Sequence, residues 1–304
     1  MQQPSVMSQY DGLKVFLCGT SSPLPAPDRA QACVAILAGE SLYLVDAGAG
    51  SARVAALGRL PMERLEAVFL THFHSDHIAA LPEFNLNSWV AGRPQPLAVF
   101  GPPGVDEVVD GLNAAYRLDS TYRVAHHGED LMRPELGEMQ ANLMEAGTAL
   151  DVGDLRISSF EVNHDPIRPA VGYRFDYRGR SVVVSGDAII TPGLVQAATG
   201  ADVLLQDSLS LPIVRTLEKA AAGSRMEKIF FDIQDYHAHT SDLSALLEQT
   251  GVGQLVLYHL VPPPQNALFD KIFSRDLPEG TIVSEDGMIF ELPAESAEIR
   301  VIKP

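Results

Sequence analysis

Positively charged residues are scarce in this sequence. Its 304 residues include 22 lysines and arginines against 39 aspartates and glutamates, a formal net charge of -17. A surface this acidic repels phosphate backbones and anionic lipids alike. The composition therefore disfavours nucleic acid as a partner and attachment to an anionic membrane, although a local basic groove remains compatible with it.

Cysteine is nearly absent, and long apolar runs are missing. No run approaches the ~20 residues that a membrane-spanning helix needs, and residues 1–8 have neither the basic start nor the apolar core of a signal peptide. A soluble, cytoplasmic protein is expected. The two cysteines, Cys18 and Cys33, lie in apolar runs that could pair as neighbouring strands. A disulfide would fit, but buried free thiols are the expectation, because a chain this long needs no covalent link for stability.

The rest of the composition is globular, with 46% hydrophobic residues, 24 glycines and 21 prolines. Apolar strand-like runs alternate with helical patterns, which predicts an α/β sandwich. The pattern predicts a helix over residues 105–116. Two stretches, about 117–147 and 212–236, fit the alternation poorly and are interpreted as excursions from a single domain that spans residues 1–304.

Histidine is concentrated in one place. Residues 71–77 read Thr-His-Phe-His-Ser-Asp-His and follow an apolar run, residues 65–70, that predicts a buried strand. Neutral imidazole and carboxylate are the usual ligands of zinc and similar divalent ions. The alternative is a polar loop with coincidental histidines. Because the whole chain has only nine histidines, three within six residues favour a metal site.

Four further polar residues occur where predicted strands end: His164, Asp187, Asp207 and His259. Open α/β layers place their sites at the carboxyl ends of strands, so we expect these residues to join the cluster. Taken alone, His164 or His259 would more often be a structural histidine, and Asp187 could cap a helix.

Together these residues resemble the metallo-β-lactamase-fold hydrolases, and most closely their ribonuclease Z-like branch. Residues 71–77 fit the family's His-x-His-x-Asp-His motif, and His164, Asp187 and His259 follow in order at the later ligand positions. Accessory motifs of that branch are matched at Cys18-Gly19-Thr20-Ser21 with Arg29, at Phe100-Gly101-Pro102-Pro103-Gly104 and at His239-Thr240-Ser241. The resemblance implies a four-layer αββα sandwich with metals at one edge.

The resemblance also implies a division of ligands between two divalent ions. His72, His74 and His164 would hold one ion; Asp76, His77 and His259 would hold the other; and Asp187 would bridge them. Zinc is the default for these ligands, with manganese or iron as alternatives. A hydroxide generated at the ions would attack the substrate, without a covalent enzyme intermediate.

Three residues are assigned catalytic roles by the same resemblance. Asp76 is one, His239 would contact the oxyanion or protonate the leaving group, and Asp207 would orient His239. A solvated helix-start residue is the alternative for His239. The remaining histidines, His126, His127 and His237, are expected to be solvated in loops.

The sequence differs from the ribonuclease Z-like branch in one feature that affects the predicted function. Ribonuclease Z enzymes that process tRNA carry a long arm between the positions of His164 and Asp187, whereas here only residues 165–186 separate them. The leading hypothesis is therefore a hydrolase of a small ester: a phosphodiester, sulfate ester, carboxylic ester or lactone. The apolar content of the excursions suits a wall over a small-molecule pocket, or a homodimer contact. The alternatives are a ribonuclease Z-type tRNA 3′-processing endonuclease and a metal-binding scaffold with little turnover.

Overall fold

Strands buried on both faces determine the layered architecture. In the strand Cys33–Gly39, Val34 and Ile36 face one hydrophobic cluster, whereas Ala35 and Leu37 face another. Successive side chains of a strand point to opposite faces, so both faces of such a sheet must be covered. The computed structural model describes residues 10–304, and in it two sheets stack between helical layers, which confirms the predicted αββα sandwich.

Within these residues the first sheet has eight strands. In spatial order they are β15 (Arg300–Ile302), β14 (Ile289–Pro293), β1 (Tyr10–Gly19), β2 (Cys33–Gly39), β3 (Ser41–Val45), β4 (Leu65–Phe69), β5 (Leu97–Gly101) and β6 (Met139–Leu143). The second sheet has seven strands. In spatial order they are β13 (Ile282–Val283), β12 (Gln254–Val261), β11 (Val203–Leu209), β10 (Arg180–Val184), β9 (Val171–Tyr177), β8 (Leu155–Glu161) and β7 (Ala149–Val152).

Each sheet contains a block of parallel strands. Strands β3 to β6 are parallel in the first sheet, and β10 to β13 are parallel in the second. A parallel block brings the carboxyl ends of its strands to one edge. The residues that follow β3, β4 and β10, and those near the end of β12, include the site residues described below.

The helices cover the outer faces of the two sheets. They are α1 (Ser51–Leu57), α2 (Ser75–Ile78), α3 (Leu81–Val90), α4 (Val105–His127), α5 (Pro192–Ala198), α6 (Leu211–Ala220), α7 (Arg225–Asp232), α8 (Leu243–Thr250) and α9 (Ala267–Phe273). Buried residues of α1, α3 and α4 pack on the first sheet, and those of α5, α8 and α9 pack on the second. No helix within residues 10–304 is both long and apolar enough to cross a membrane. Residues 1–8, for which no signal peptide is expected, lie outside the described part.

The two excursions are more regular than the sequence indicated. The sequence predicted a helix over residues 105–116, but the corresponding helix α4 continues to His127, so the predicted end was wrong. Its second half contains no glycine or proline before Gly128, and the pair Asp119–Arg123 lies one helical turn apart. Strand β6 then joins the edge of the first sheet. The second excursion is a hairpin of α6 and α7. The single domain spanning 1–304 remains a prediction.

The expectation of free thiols was wrong. Cys18 and Cys33 form a disulfide, and both are completely buried. Strands β1 and β2 are antiparallel neighbours, and Gly19 lies opposite Cys33 in their register. The resulting separation of 5.0 Å between the two Cα atoms lies within the range that a disulfide requires.

Candidate metal centre

The histidine cluster is a short loop and one helical turn between β4 and α3. His72, Asp76 and His77 are buried, and His74 is partly exposed. The loop is held closely against the residues after β3: the amide of Ala47 donates to the carbonyl of His77 at 2.7 Å. A Cβ on Gly48 would lie 2.1 Å from the carbonyl oxygen of Asp76. Only glycine allows this approach, which places the ligands at the sheet edge.

The other predicted ligands reach the same edge from the second sheet. His164 follows β8, and Asp187 follows β10. His259 lies inside β12, where the register with β11 shifts and His259 is the extra, bulged residue, with a φ of 45°. A bulge redirects a side chain out of the regular alternation. The bulge explains how a strand buried along most of its length delivers an imidazole to the site.

The seven predicted ligands form two groups that share one carboxylate. The ligand atoms within each group lie within 4.8 Å of one another; the groups are His72, His74, His164 and Asp187, and Asp76, His77, Asp187 and His259. Oδ2 of Asp187 lies 3.8 Å from Nε2 of His164 in the first group and 3.3 Å from Nε2 of His259 in the second. The structure thus brings together every residue that the sequence proposed as a ligand.

Hydrogen bonds behind the imidazoles fix which nitrogen faces the centre. Nδ1 of His77 donates to Oδ2 of Asp46 at 2.8 Å, and Nδ1 of His164 donates to the carbonyl of Tyr236 at 3.1 Å. The Nε2 atoms of both rings consequently point inward. Such outer partners orient metal-binding histidines and fix their tautomers. Asp46, which also accepts from the amide of Thr71 at 2.8 Å, was not identified from the sequence, although it too follows a strand.

The pKa shifts of the histidines differ between the two ligand groups. Burial lowers the pKa of His164 to about 4 and holds the pKa of His72 well below its usual value. For His77 burial acts in the same direction, but Asp187 and Asp46 outweigh it and raise the pKa of the imidazole. Burial opposes the charge of Asp187, yet His259 and His77 outweigh it and hold the pKa of that carboxyl well below its usual range. Divalent metals bind neutral imidazoles and ionised carboxylates, so His72 and His164 are already in the binding form, whereas His77 would release a proton when an ion binds.

The arrangement fits divalent ions on two counts. Nε2 of His77, Nε2 of His164 and Oδ1 of Asp187 are buried without a hydrogen-bond partner among the described residues. An unpaired buried polar atom is costly unless another group satisfies it. The separations are suitable too: ligands about 2 Å from a tetrahedral zinc lie about 3.3 Å apart, and Nε2 of His77 lies 3.4 Å from Oδ2 of Asp187.

Comparison with known proteins agrees with this geometry. The family described as the beta-lactamase superfamily domain matches residues 42–260 of the chain. Ribonuclease Z of Mycobacterium bovis is 38% identical over 253 residues, which cover 82% of this chain and 86% of the relative. Ribonuclease Z of Mycobacterium tuberculosis is 36% identical with the same coverage. The chain belongs to the metallo-β-lactamase superfamily, in its ribonuclease Z-like branch.

Solved structures of the metallo-β-lactamase fold superimpose over most of the chain. YhfI of Bacillus subtilis has a TM-score of 0.66 at 18% identity, covering 92% of this chain and 99% of its own. The short form of human tRNase Z has a TM-score of 0.64 at 19% identity, with the same coverage. At these identities the likeness supports the fold alone. Superfamily membership confirms the predicted class of reaction, metal-dependent hydrolysis of an ester bond, and the need for divalent metal.

The structure pairs Asp207 differently from the sequence-based expectation. Nδ1 of His237 donates to Oδ2 of Asp207 at 2.8 Å, and both residues are buried. Nε2 of His239 instead donates to the carbonyl of Gln234 at 2.6 Å. The expectation that Asp207 orients His239 was therefore wrong, as was that of a solvated loop for His237. His239 forms an isolated bridge with Leu209 of β11, whereas His237 lies in the bend that precedes it.

A cavity of 280 Å³ opens over the candidate metal centre. Four predicted ligands (His74, Asp76, His164 and Asp187) and His237 line it. The opposite side is formed by apolar residues of the loop after β1, the end of β12 and the α7 region. The second excursion thus contributes directly to the site, as expected for a pocket wall.

His126 and His127 form the last turn of α4, so their expected loop location was wrong.

Proposed function

We propose that the chain is a two-metal phosphodiesterase of the ribonuclease Z type, which cleaves an RNA precursor at its 3′ end. The observation that carries the proposal is the pairing of two ligand groups through Asp187 beside the buried Asp207–His237 pair. Relatives named ribonuclease Z that align over most of both chains support the choice of substrate. Net acidity alone is therefore insufficient to rule out nucleic acid as a substrate.

The proposed ligands are those of the two groups. Under this proposal His72, His74 and His164 would hold one ion, Asp76, His77 and His259 would hold the other, and Asp187 would be shared by both groups. Zinc is the default for five imidazoles and two carboxylates. When bound, the two ions activate water and neutralise the developing charge on the scissile phosphate.

The remaining steps belong to residues outside the ligand set. His237 lies in the cavity wall with its Nδ1 fixed by Asp207, which leaves Nε2 as the atom that faces substrate. We assign to His237 the protonation of the departing oxygen, a role for which a buried carboxylate partner is suitable. His239 instead supports this segment through the Gln234 carbonyl. Asp46 and the carbonyl of Tyr236 orient His77 and His164.

A small ester is the second candidate, and the cavity favours it. Its volume of 280 Å³ lies just below the range of about 300–1,000 Å³ for small-molecule sites, so it suits a small substrate. In addition, residues 165–186 consist of a short loop, the strands β9 and β10 and the turn to Asp187, with no arm between the two ligands. Phosphodiesters, sulfate esters, carboxylic esters and lactones all remain in this class.

One experiment separates the candidates. The zinc-loaded protein is incubated with a tRNA precursor that carries a 3′ trailer, and in parallel with bis(4-nitrophenyl) phosphate and the 4-nitrophenyl esters of acetate and sulfate. The proposal predicts an endonucleolytic cut at the trailer junction that is abolished in His74→Ala, together with binding of one of the two zinc ions. Hydrolysis of the small esters with an intact precursor would refute the RNA substrate and select the second candidate. A protein that binds zinc and hydrolyses none of these substrates would support the scaffold alternative.

A further inference from the structure

Beyond the ligand residues and His237, most of the cavity lining is apolar, and its polar members are Ser22, Ser75 and Tyr236. Ile229 and Ile233 lie one helical turn apart at the end of α7, and Leu24 and Val261 line the same cavity. We refer to these four residues as the α7 wall. Three of them, Leu24, Ile233 and Val261, also belong to the hydrophobic cluster beneath the α6–α7 hairpin. The wall is therefore a packed surface facing the ligand groups.

Ile229 differs from the other three members of the α7 wall. It is 46% exposed and belongs to none of the hydrophobic clusters formed by the described residues. Its side chain faces the cavity beside Asp76 and Asp187. An apolar side chain that lines a reactive cavity without a partner of its own gains free energy when a bound apolar group covers it.

Charge supports the same conclusion. Among the described residues that line this cavity there is no lysine or arginine, and two carboxylates, Asp76 and Asp187, form part of its base. An anionic group held against the α7 wall, away from the ligand groups where the ions are proposed to bind, would lose its hydration without gaining a cationic side chain as a partner, which is unfavourable. A group that is uncharged meets no such cost.

The position of His237 indicates which part of the substrate contacts the wall. His237 follows the end of α7 by five residues and lines the same cavity as Ile229 and Ile233, and under the proposed function it protonates the departing oxygen. We therefore place the group attached to that oxygen near the α7 wall. We infer that the α7 wall selects phosphodiesters whose leaving group is uncharged and apolar or flat, such as an aryl group or a nucleoside. This inference rests on the proposed function for the location of the leaving group.

Two substrates of matched chemistry test the inference. Methyl phosphodiesters of 4-nitrophenol and of 3-carboxy-4-nitrophenol release comparable phenolates, but only the second places a carboxylate against the wall. The ratio of their kcat/KM values is measured for the zinc-loaded protein and for Ile229→Lys. We expect the native chain to prefer the uncharged leaving group by about tenfold or more, and Ile229→Lys to reduce that preference by a similar factor.

The matched control is Phe231→Lys, two residues along the same helix. Phe231 is 62% exposed and does not line the cavity, so the substitution adds the same charge to α7 without altering the wall. Its kcat/KM ratio should equal that of the native chain. A native ratio close to one, or equal changes in Ile229→Lys and Phe231→Lys, would overturn the inference.

A binding measurement distinguishes failure of this inference from failure of the proposed function. Calorimetry of the zinc-loaded protein compares benzylphosphonate with 4-carboxybenzylphosphonate, neither of which is hydrolysed. Tighter binding of benzylphosphonate, whose benzyl group is uncharged, supports the wall even if the RNA precursor is not cleaved, provided that the difference is lost in Ile229→Lys and kept in Phe231→Lys. Equal affinities refute the wall even if the precursor is cleaved.

Discussion

Asp187 is the side chain on which both ligand groups converge. Its Oδ2 lies 3.3 Å from Nε2 of His259 and 3.4 Å from Nε2 of His77, while its Oδ1 has no hydrogen-bond partner among the described residues. Although burial opposes its charge, the two imidazoles outweigh burial and hold the pKa of the carboxyl well below its usual range. A carboxylate that stays ionised at neutral pH is suited to bridging two cations. We therefore infer that Asp187 contributes to the candidate metal centre through its negative charge more than through its packing.

The roles of His237 and His239 can be separated by substitution. His237→Ala removes the proposed proton donor and should lower kcat by about 10²–10⁴-fold, with a larger loss for an alkoxide leaving group than for nitrophenolate. Steady-state kinetics with one substrate of each leaving-group type measure both effects.

His239→Ala is the comparison for that experiment. It removes one hydrogen bond, to the Gln234 carbonyl, so kcat should fall by about tenfold or less, and by a similar factor for both leaving groups. If the loss of kcat depended on the leaving group in His239→Ala but not in His237→Ala, the assignment made from the Asp207 contact would be reversed.

At the scale of elements, the buried Arg93 links α3 by hydrogen bonds to the segment that leads into β6. Arg93 is 2% exposed, and its guanidinium donates to Ser88 Oγ, Asn85 Oδ1 and the carbonyl of Leu136. Its Nε donates to the carbonyl of Gln95. These bonds satisfy polar groups in a region where Trp89 and Leu136 form a small hydrophobic cluster of their own.

Removing this guanidinium should destabilise the fold. Arg93→Met keeps much of the side-chain volume but leaves several buried acceptors unpaired, and we expect a loss of about 2–4 kcal/mol in the free energy of unfolding. Arg123→Met, which removes a partly exposed ion pair with Asp119 on α4, should cost about 0.5 kcal/mol or less. Urea unfolding followed by circular dichroism measures both. Equal losses in the two variants would contradict this account of Arg93.

The elements also show how far the sequence could be interpreted. Buried strands that end on histidine or aspartate indicated where the site residues lie, and the resemblance to the metallo-β-lactamase-fold hydrolases implied the ligand set and the four-layer fold. Helix α4 was underestimated because its second half is largely exposed and lacks a regular apolar stripe. The choice between His237 and His239 depended on whether Asp207 contacts one or the other, and such a contact between distant segments leaves no trace in local sequence. Asp46 was missed for the same reason.

The whole molecule combines a strongly acidic composition with a proposed nucleic-acid substrate. The formal net charge is -17, and within the described residues the cavity over the candidate metal centre has no lysine or arginine in its lining. Long-range repulsion should therefore slow the approach of a polyanion, whereas a small diester with one negative charge should be much less affected. The net charge thus makes the two candidate substrates differ in their response to salt.

We expect salt to accelerate RNA cleavage. Raising KCl from about 10 to about 100 mM shortens the Debye length from ~30 to ~10 Å, which screens the repulsion and should raise kcat/KM for the tRNA precursor about tenfold. Hydrolysis of methyl 4-nitrophenyl phosphate under the same conditions is the control, and should change by less than about twofold. Initial rates at fixed zinc concentration measure both. Release of counterions from a basic RNA-binding surface would give the opposite sign, a steep fall of kcat/KM with salt, and that outcome would show that a local positive region outweighs the net charge.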